Sequence, residues 1–143
     1  MQTRVMIFGA GHLALQMKHY IENDTNDLVV GYLDDTMITG TMVEGLEVMG
    51  NRVSIQKLYD DGCFDELVIA LGYKHLEFKS ELFKEFENKI PVYTFVHSST
   101  QMDVTAQVGK GVFVFPGCIF DKHTIIKEQS VVNLGCLIAH DSV

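Results

Sequence analysis

Positive charge is scarce in this chain. Eleven Lys and Arg stand against nineteen Asp and Glu among 143 residues, a formal charge of −8. That excludes a nucleic-acid binder, which needs a clustered positive field for phosphates. It leaves room for a small anionic ligand held by backbone N–H groups. Cysteine is sparse too. Cys63, Cys118 and Cys136 form no even-numbered framework and no C-x-x-C spacing, so they read as free thiols of a reducing, cytoplasmic environment. No stretch approaches roughly eighteen apolar residues, so no spanning helix is expected. The start, Met1 to Arg4, runs straight into an apolar strand, unlike a signal peptide. His19, His75, His97 and His123 lack H-E-x-x-H or Cys/His ligand spacing, so no metal is expected. A G-x-S-x-G elbow for a serine hydrolase is also missing.

What is present changes its period near residue 95. Up to Tyr93, short apolar runs alternate with amphipathic stretches. Val5 to Phe8 is β-rich and stops at Gly9-Ala10-Gly11, after which Leu13, Met17, Tyr20 and Ile21 recur at helical spacing. Leu28 to Leu33 reads as a second strand closed by Asp34-Asp35, followed by a Gly-rich loop through Gly40, Gly45 and Gly50. A weak helix is expected over 54–61, a third strand over 66–71, a helix over 76–86, and a short strand from Pro91 to Tyr93. On the second helix Leu76, Lys79, Leu82, Phe83 and Phe86 fall roughly on one face. Strand–helix alternation with nearly continuous apolar strands implies a parallel sheet covered by helices, a Rossmann-like α/β domain over residues 1–94.

From residue 95 to 143 the period is six. Val96, Met102, Val108, Val114, Phe120, Ile126, Val132 and Ile138 are apolar without a slip. Four residues after each comes a small or β-branched one: Thr100, Ala106, Val112, Cys118, Thr124, Ser130, Cys136 and Ser142. Gly109, Gly111, Gly117 and Gly135 supply corners. Three such units close a triangular coil of eighteen residues, with both columns pointing to its axis and coils stacked at about 4.8 Å. Cys118 and Cys136 then stack as reduced core thiols. An antiparallel sandwich with fortuitous spacing is the competing reading, but it predicts neither the small-residue column nor the corner glycines.

Several residues could carry chemistry. Gly9, Gly11 and His12 follow a strand and open a helix, the context of a phosphate or nucleotide loop, with Ala14 in place of a third glycine. A tight turn without a ligand would look the same. Asp34 and Asp35 end the second strand, where a carboxylate can bind a ribose hydroxyl or a base N–H, or simply form a solvated turn. The coil register places Val104, Lys122 and His140 in one vertical column. An ammonium beside the imidazole would favour neutral histidine, the form that accepts a proton as a general base. Lys122 could instead attract a donor phosphate. Asn133 lies above Phe115 and could donate to a carbonyl or sugar. Asp141 is a possible orienting carboxylate, although strand neighbours point in opposite directions, which argues against its pairing with His140. His140 as a plain surface residue is the alternative.

The runs Ile7-Phe8-Gly9-Ala10-Gly11-His12, Tyr32-Leu33-Asp34-Asp35, Val48-Met49-Gly50, Ala70-Leu71-Gly72, and Val132-Asn133-Leu134-Gly135 followed by His140-Asp141 stand in a telling order. Across essentially the whole chain they resemble the bacterial sialic-acid O-acetyltransferases and nucleotide-aminosugar N-acetyltransferases of the hexapeptide-repeat class. The resemblance implies a left-handed parallel β-helix, a homotrimer, and acetyl-CoA as co-substrate in a cleft between neighbouring helices. It implies a nucleotide-sugar acceptor at Gly9–His12 and Asp34-Asp35, with His140 removing a proton from the acceptor amine or hydroxyl. Ala139 and Leu134 depart from the family pattern, which commonly has an acidic and a small hydroxyl residue there. The family has several further coils where this sequence has fewer than three, so weak or absent activity is expected of this chain alone. A non-catalytic nucleotide-sugar-binding module, or a structural or assembly role for the coil, stays open beside the enzyme.

Overall fold

The computed structural model describes residues 1–143, and the chain divides into two compact units, Met1–Val92 and Tyr93–Val143. The first unit begins with β1 (Arg4–Phe8), α1 (His12–Asp24) and β2 (Leu28–Leu33). β3 (Met42–Val43) and β4 (Leu46–Gly50) follow, then α2 (Ile55–Asp60), β5 (Glu66–Ile69) and α3 (Leu76–Phe86). The sheet order is β3-β4-β2-β1-β5, parallel except for the β3–β4 pair. β1 is central, and Val5, Met6 and Ile7 are fully buried, as a strand covered on both faces requires. Pro91 to Tyr93, expected as a strand, contributes only an isolated parallel bridge between Leu67 and Val92.

α1 buries Ala14, Met17 and Ile21, and it stops where Thr25 bonds back to Ile21 O through both N–H and hydroxyl. α3 buries Lys79, Leu82, Phe83 and Phe86, but Leu76 is 61% exposed and starts the helix outside the buried face. Burial pushes the Lys79 ammonium pKa down. The expected Gly-rich loop contains a hairpin: Glu44 and Gly45 both have positive φ, the turn geometry that matches strand twist, and β4 pairs with β2. The glycines made the segment read as loop, whereas two of them serve one tight turn and a strand end.

The second unit is a coil of eight two-residue strands. These are β6 (Phe95–Val96), β7 (Gln101–Met102), β8 (Gln107–Val108) and β9 (Phe113–Val114), then β10 (Ile119–Phe120), β11 (Ile125–Ile126), β12 (Val131–Val132) and β13 (Leu137–Ile138). All pairings are parallel and every partner lies eighteen residues away, as in Phe120 with Met102 and Ile138. Three sheets result, ordered β13-β10-β7, β11-β8 and β12-β9-β6. The axis holds Val112, Val114, Cys118, Phe120, Ile126 and Val132, with Val96, Ala106, Val108, Cys136 and Ile138 packed against them. Burying each large member contributes roughly 1.5–3 kcal/mol, so the axial column is the main source of stability. Met102 departs from its column and is 37% exposed, on the first coil of its sheet.

The corners show why glycine recurs. Gly111, Gly117 and Gly135 have positive φ, and so do His123, Gln129 and Asp141, which occupy that conformation despite their side chains. Gly109 serves differently: a Cβ there would lie 2.6 Å from Glu128 N on the next coil.

Candidate functional site

In the first unit the C-terminal ends of β1, β2 and β5 meet, the place where open parallel sheets offer a crevice. Gly9 N–H donates to Leu33 O at 2.7 Å, and Ala70 N–H donates to Phe8 O at 2.7 Å. Gly9 has φ +112, and a Cβ on it would stand 2.6 Å from Ala70 O, so the loop closes on the neighbouring strand only with glycine there. Gly11 is different, since a Cβ there would meet nothing within 4 Å. It is the N-cap of α1, whose first turn carries neither a side-chain cap nor an acidic residue, leaving its N–H groups open to an anion. Beside this loop lies a cleft of about 310 Å³, lined among others by Gly9, Gly11, Asp34, Asp35, His75 and Phe78.

The two aspartates differ in what they have left to offer. Asp34 Oδ2 accepts from Ala10 N–H at 3.0 Å. Its Oδ1 accepts from Thr36 N–H and the Thr36 hydroxyl, both at 2.7 Å, and from Met37 N–H at 3.1 Å. Three donors crowd Oδ1 and one holds Oδ2, so both oxygens already serve the chain's own bonds and a single acceptor position on Oδ2 is left. Asp35 Oδ1 accepts from Arg52 N–H at 2.8 Å, and Asp35 is exposed at the cleft. His12 opens α1, is exposed, and is not among the residues lining the cleft.

The opposite wall lies outside the residues expected from the sequence. His75 and Phe78 enter the cleft from the start of α3, and Phe78 stands edge-on to Phe8 at 5.8 Å. The Arg52 guanidinium sits 5.3 Å from the Phe78 ring centre and pairs with Glu85 at 2.9 Å, which raises its pKa. A lone aromatic on a helix carries no signal of this. The run Ala70-Leu71-Gly72 was the available hint.

In the second unit His140 and Asp141 lie in a turn after β13, on the corner above Asp121 and Lys122. Asp141 N–H donates to Lys122 O at 2.9 Å, so the vertical register of this column holds at the backbone. Two expectations fail at this corner. His140 Nδ1 lies 2.9 Å from Asp141 Oδ2, a pairing that strand alternation argued against. The residues are not on a strand: Asp141 has φ +61, which turns its carboxylate back toward the preceding ring. Nor does Lys122 tip the histidine to its neutral form. The Asp141 hydrogen bond, then its charge and that of Asp121, raise the His140 pKa above its ordinary value.

Asn133 is exposed at the preceding corner, separated from His140 by β13. Its Oδ1 accepts from Leu134 N–H at 2.8 Å, which fixes the side chain against its own corner. The coil thus gathers His140, Asp141, Asp121 and Lys122, and leaves Asn133 apart. A groove of about 560 Å³ runs along the β7, β10 and β13 face and includes Asp121 and Ala139. Cys118 is buried, its thiol donating to Phe115 O at 3.2 Å and Asn133 O at 3.1 Å, and Cys136 is half-buried above it.

No helix is long and apolar enough to cross a membrane. No protein-family model matches the sequence, and no curated protein sequence matches it. Solved structures do. A His-to-Asn mutant of the perosamine N-acetyltransferase of Caulobacter crescentus, in complex with CoA and GDP-perosamine, is similar over 96% of this chain and 63% of its own, with TM-score 0.79 and 22% identity. The acetyltransferase domain of PglB from Neisseria gonorrhoeae, in complex with acetyl coenzyme A, is similar over 99% of this chain and 66% of its own, with TM-score 0.78 and 16% identity. UDP-D-quinovosamine 4-dehydrogenase from Vibrio fischeri is similar over 68% of this chain, with TM-score 0.52 and 16% identity. The chain spans less than two thirds of the length of the two acetyltransferase structures. At these identities the likeness is one of fold: nearly all of this chain shares its architecture with those two acetyltransferase structures.

Proposed function

We propose that this chain is the nucleotide-sugar-binding and base-bearing part of an acetyltransferase. The reaction moves an acetyl group from acetyl-CoA to an amine or hydroxyl of a nucleotide-linked or acidic sugar. The observation that carries this reading is the His140–Asp141 pair, set at a corner of a coil whose fold matches two acetyltransferase structures. One of these holds CoA and GDP-perosamine, and the other acetyl coenzyme A.

The chemistry follows from the ring. With Nδ1–H donated to Asp141, Nε2 is the acceptor and takes a proton from the acceptor group as its nitrogen or oxygen attacks the thioester carbonyl. The tetrahedral intermediate collapses with C–S cleavage, and the histidinium returns the proton to the CoA thiolate. Asp141 orients the ring and stabilises its charged form. Lys122, on the rung below, offers charge to a CoA phosphate, and Asn133 is a donor for a sugar or carbonyl at the neighbouring corner. In the first unit the open N-terminus of α1 and the Gly9–Gly11 loop, with His12, would hold a diphosphate in a Rossmann-like manner. Asp35 would reach the nucleoside. The coil would be left-handed, and its outward Ile119, Ile125, Val131 and Leu137, all more than a third exposed, suit burial by neighbouring copies in a trimer.

Thiol release from acetyl-CoA, measured with UDP- or GDP-linked amino sugars, tests the reading. His140→Ala is expected to lower the rate by about 10²–10⁴-fold; equal release by both proteins removes His140 from the mechanism. A second reading, a non-catalytic nucleotide-sugar module, is favoured by the cleft's lining, all of which belongs to the first unit. Calorimetry separates the two, since the module binds a nucleotide sugar but not acetyl-CoA.

A further inference from the structure

The sequence places Asp34 and Asp35 side by side as equivalent candidates for the nucleoside, yet their hydrogen bonds make them unlike. We infer that Asp34 is a positioning residue, a latch that fixes the Gly9–Gly11 loop for a diphosphate, and that Asp35, which keeps a whole oxygen unbonded, is the one of the pair that accepts from the nucleoside. This rests on the nucleotide-sugar reading of the cleft.

Asp34 joins two separate segments. On one side it holds Ala10 N–H, in the middle of the loop between β1 and α1. On the other it gathers both donors of Thr36 and the N–H of Met37, closing the turn that leaves β2. Its own N–H donates to Gly50 O at 3.0 Å, which ties the same residue to the end of β4. The Gly9 N–H bond to Leu33 O lies next to the latch, so the loop is held to the β2 end at two consecutive residues. Both oxygens of Asp34 are engaged by the chain itself, Oδ1 by three donors and Oδ2 by one, whereas Asp35 is exposed, with one oxygen bonded to Arg52 N–H and a second with no such bond.

Asparagine cannot imitate this arrangement. Each carboxylate oxygen accepts, and in either amide orientation an NH₂ donor would face donors, so at least one side of the latch opens. An opened loop no longer presents its N–H groups in a fixed array, which weakens any diphosphate whatever base it carries. Loss of Asp35 would weaken only ligands that have a nucleoside.

Two measurements decide the matter on the whole chain. The first needs no ligand: amide hydrogen exchange at Ala10, expected to be slow in the parent protein and at least tenfold faster in Asp34→Asn, with β1 amides such as Ile7 unchanged. The second is calorimetric binding of inorganic pyrophosphate and of UDP-N-acetylglucosamine. Asp34→Asn should weaken both by a similar factor, about tenfold or more, while Asp35→Asn weakens only the nucleotide sugar. Should Asp34→Asn fail to fold, Thr36→Val removes one donor from Oδ1 and is expected to shift the same readings in the same direction by a few fold. Unchanged Ala10 exchange would overturn the latch. Loss of nucleotide-sugar binding with full pyrophosphate affinity in Asp34→Asn would make Asp34 a direct contact and overturn it as well. If neither probe binds the parent protein, the nucleotide-sugar reading fails, and Ala10 exchange still decides whether Asp34 holds the loop.

Discussion

Tyr32 sits on β2 with no exposed surface, and its hydroxyl has no hydrogen-bond partner within the chain. A buried hydroxyl in that state forfeits its water contacts and gains nothing in return, a penalty of about 1–3 kcal/mol. Tyr32→Phe removes only the oxygen and keeps the ring that packs the core. The void left is one atom in size and costs a few tenths of a kcal/mol at about 24 cal/mol per Å³. The variant should therefore be more stable by about 1–2 kcal/mol. Urea unfolding followed by circular dichroism would show the midpoint rising by about 0.5–1 M with an unchanged slope. A second signature separates this cause from simple repacking. The Tyr32 phenol is pushed up to about 12, first by burial and then by the charges of Glu44 and Glu22. Between pH 10 and 12 the unfolded phenol has lost its proton while the folded one keeps it, so the parent protein loses stability as pH rises through that window. The Phe variant has no such loss, and its advantage should widen there by at most roughly 2–3 kcal/mol. A variant that is no more stable at pH 7, or an advantage that stays flat to pH 12, would refute the assignment of an orphaned hydroxyl.

Two further predictions follow from the site geometry. Gly9→Ala combines φ +112 with a Cβ 2.6 Å from Ala70 O, so it should destabilise the first unit by about 2 kcal/mol or more; thermal unfolding checks this, and a neutral result would mean the loop can move off β5. Asp141→Asn removes the main cause of the raised His140 pKa, so the imidazole midpoint in an NMR pH titration should fall, with Asp121 keeping a smaller upward pull. If transfer depends on neutral His140, the acid limb of its pH profile should move down with that midpoint, and an unmoved limb would detach the pair from the chemistry.

The coil was legible in the sequence because its period forces one contact pattern. Once Val114, Phe120 and Ile126 all point to one axis, partners eighteen apart have no other arrangement, and the pairings follow that spacing throughout. The parallel strands of the first unit were legible for a similar reason, as continuous apolar runs. The β3–β4 hairpin was hidden because Glu44-Gly45 is an uncommon spelling of its turn. Side-chain partners within the site were legible least. Whether Asp141 meets His140 depends on a single left-handed residue, which spacing cannot reveal. The engagement of both Asp34 oxygens arises from donors at residues 10, 36 and 37, only some of them near it in sequence. His75 and Phe78 belong to the cleft through the path of the chain after β5, which no local pattern records.

The uniform spacing of the coil also turns chain length into direction. Removing a full set of eighteen residues from its middle would lower His140 by one rung while keeping it on the same corner, still paired with Asp141. Removing six would keep every apolar residue facing the axis and carry the same histidine to a different side of the triangle. In this half of the molecule, insertions and deletions are steps of a ratchet, and only whole turns return a side chain to the surface where it began.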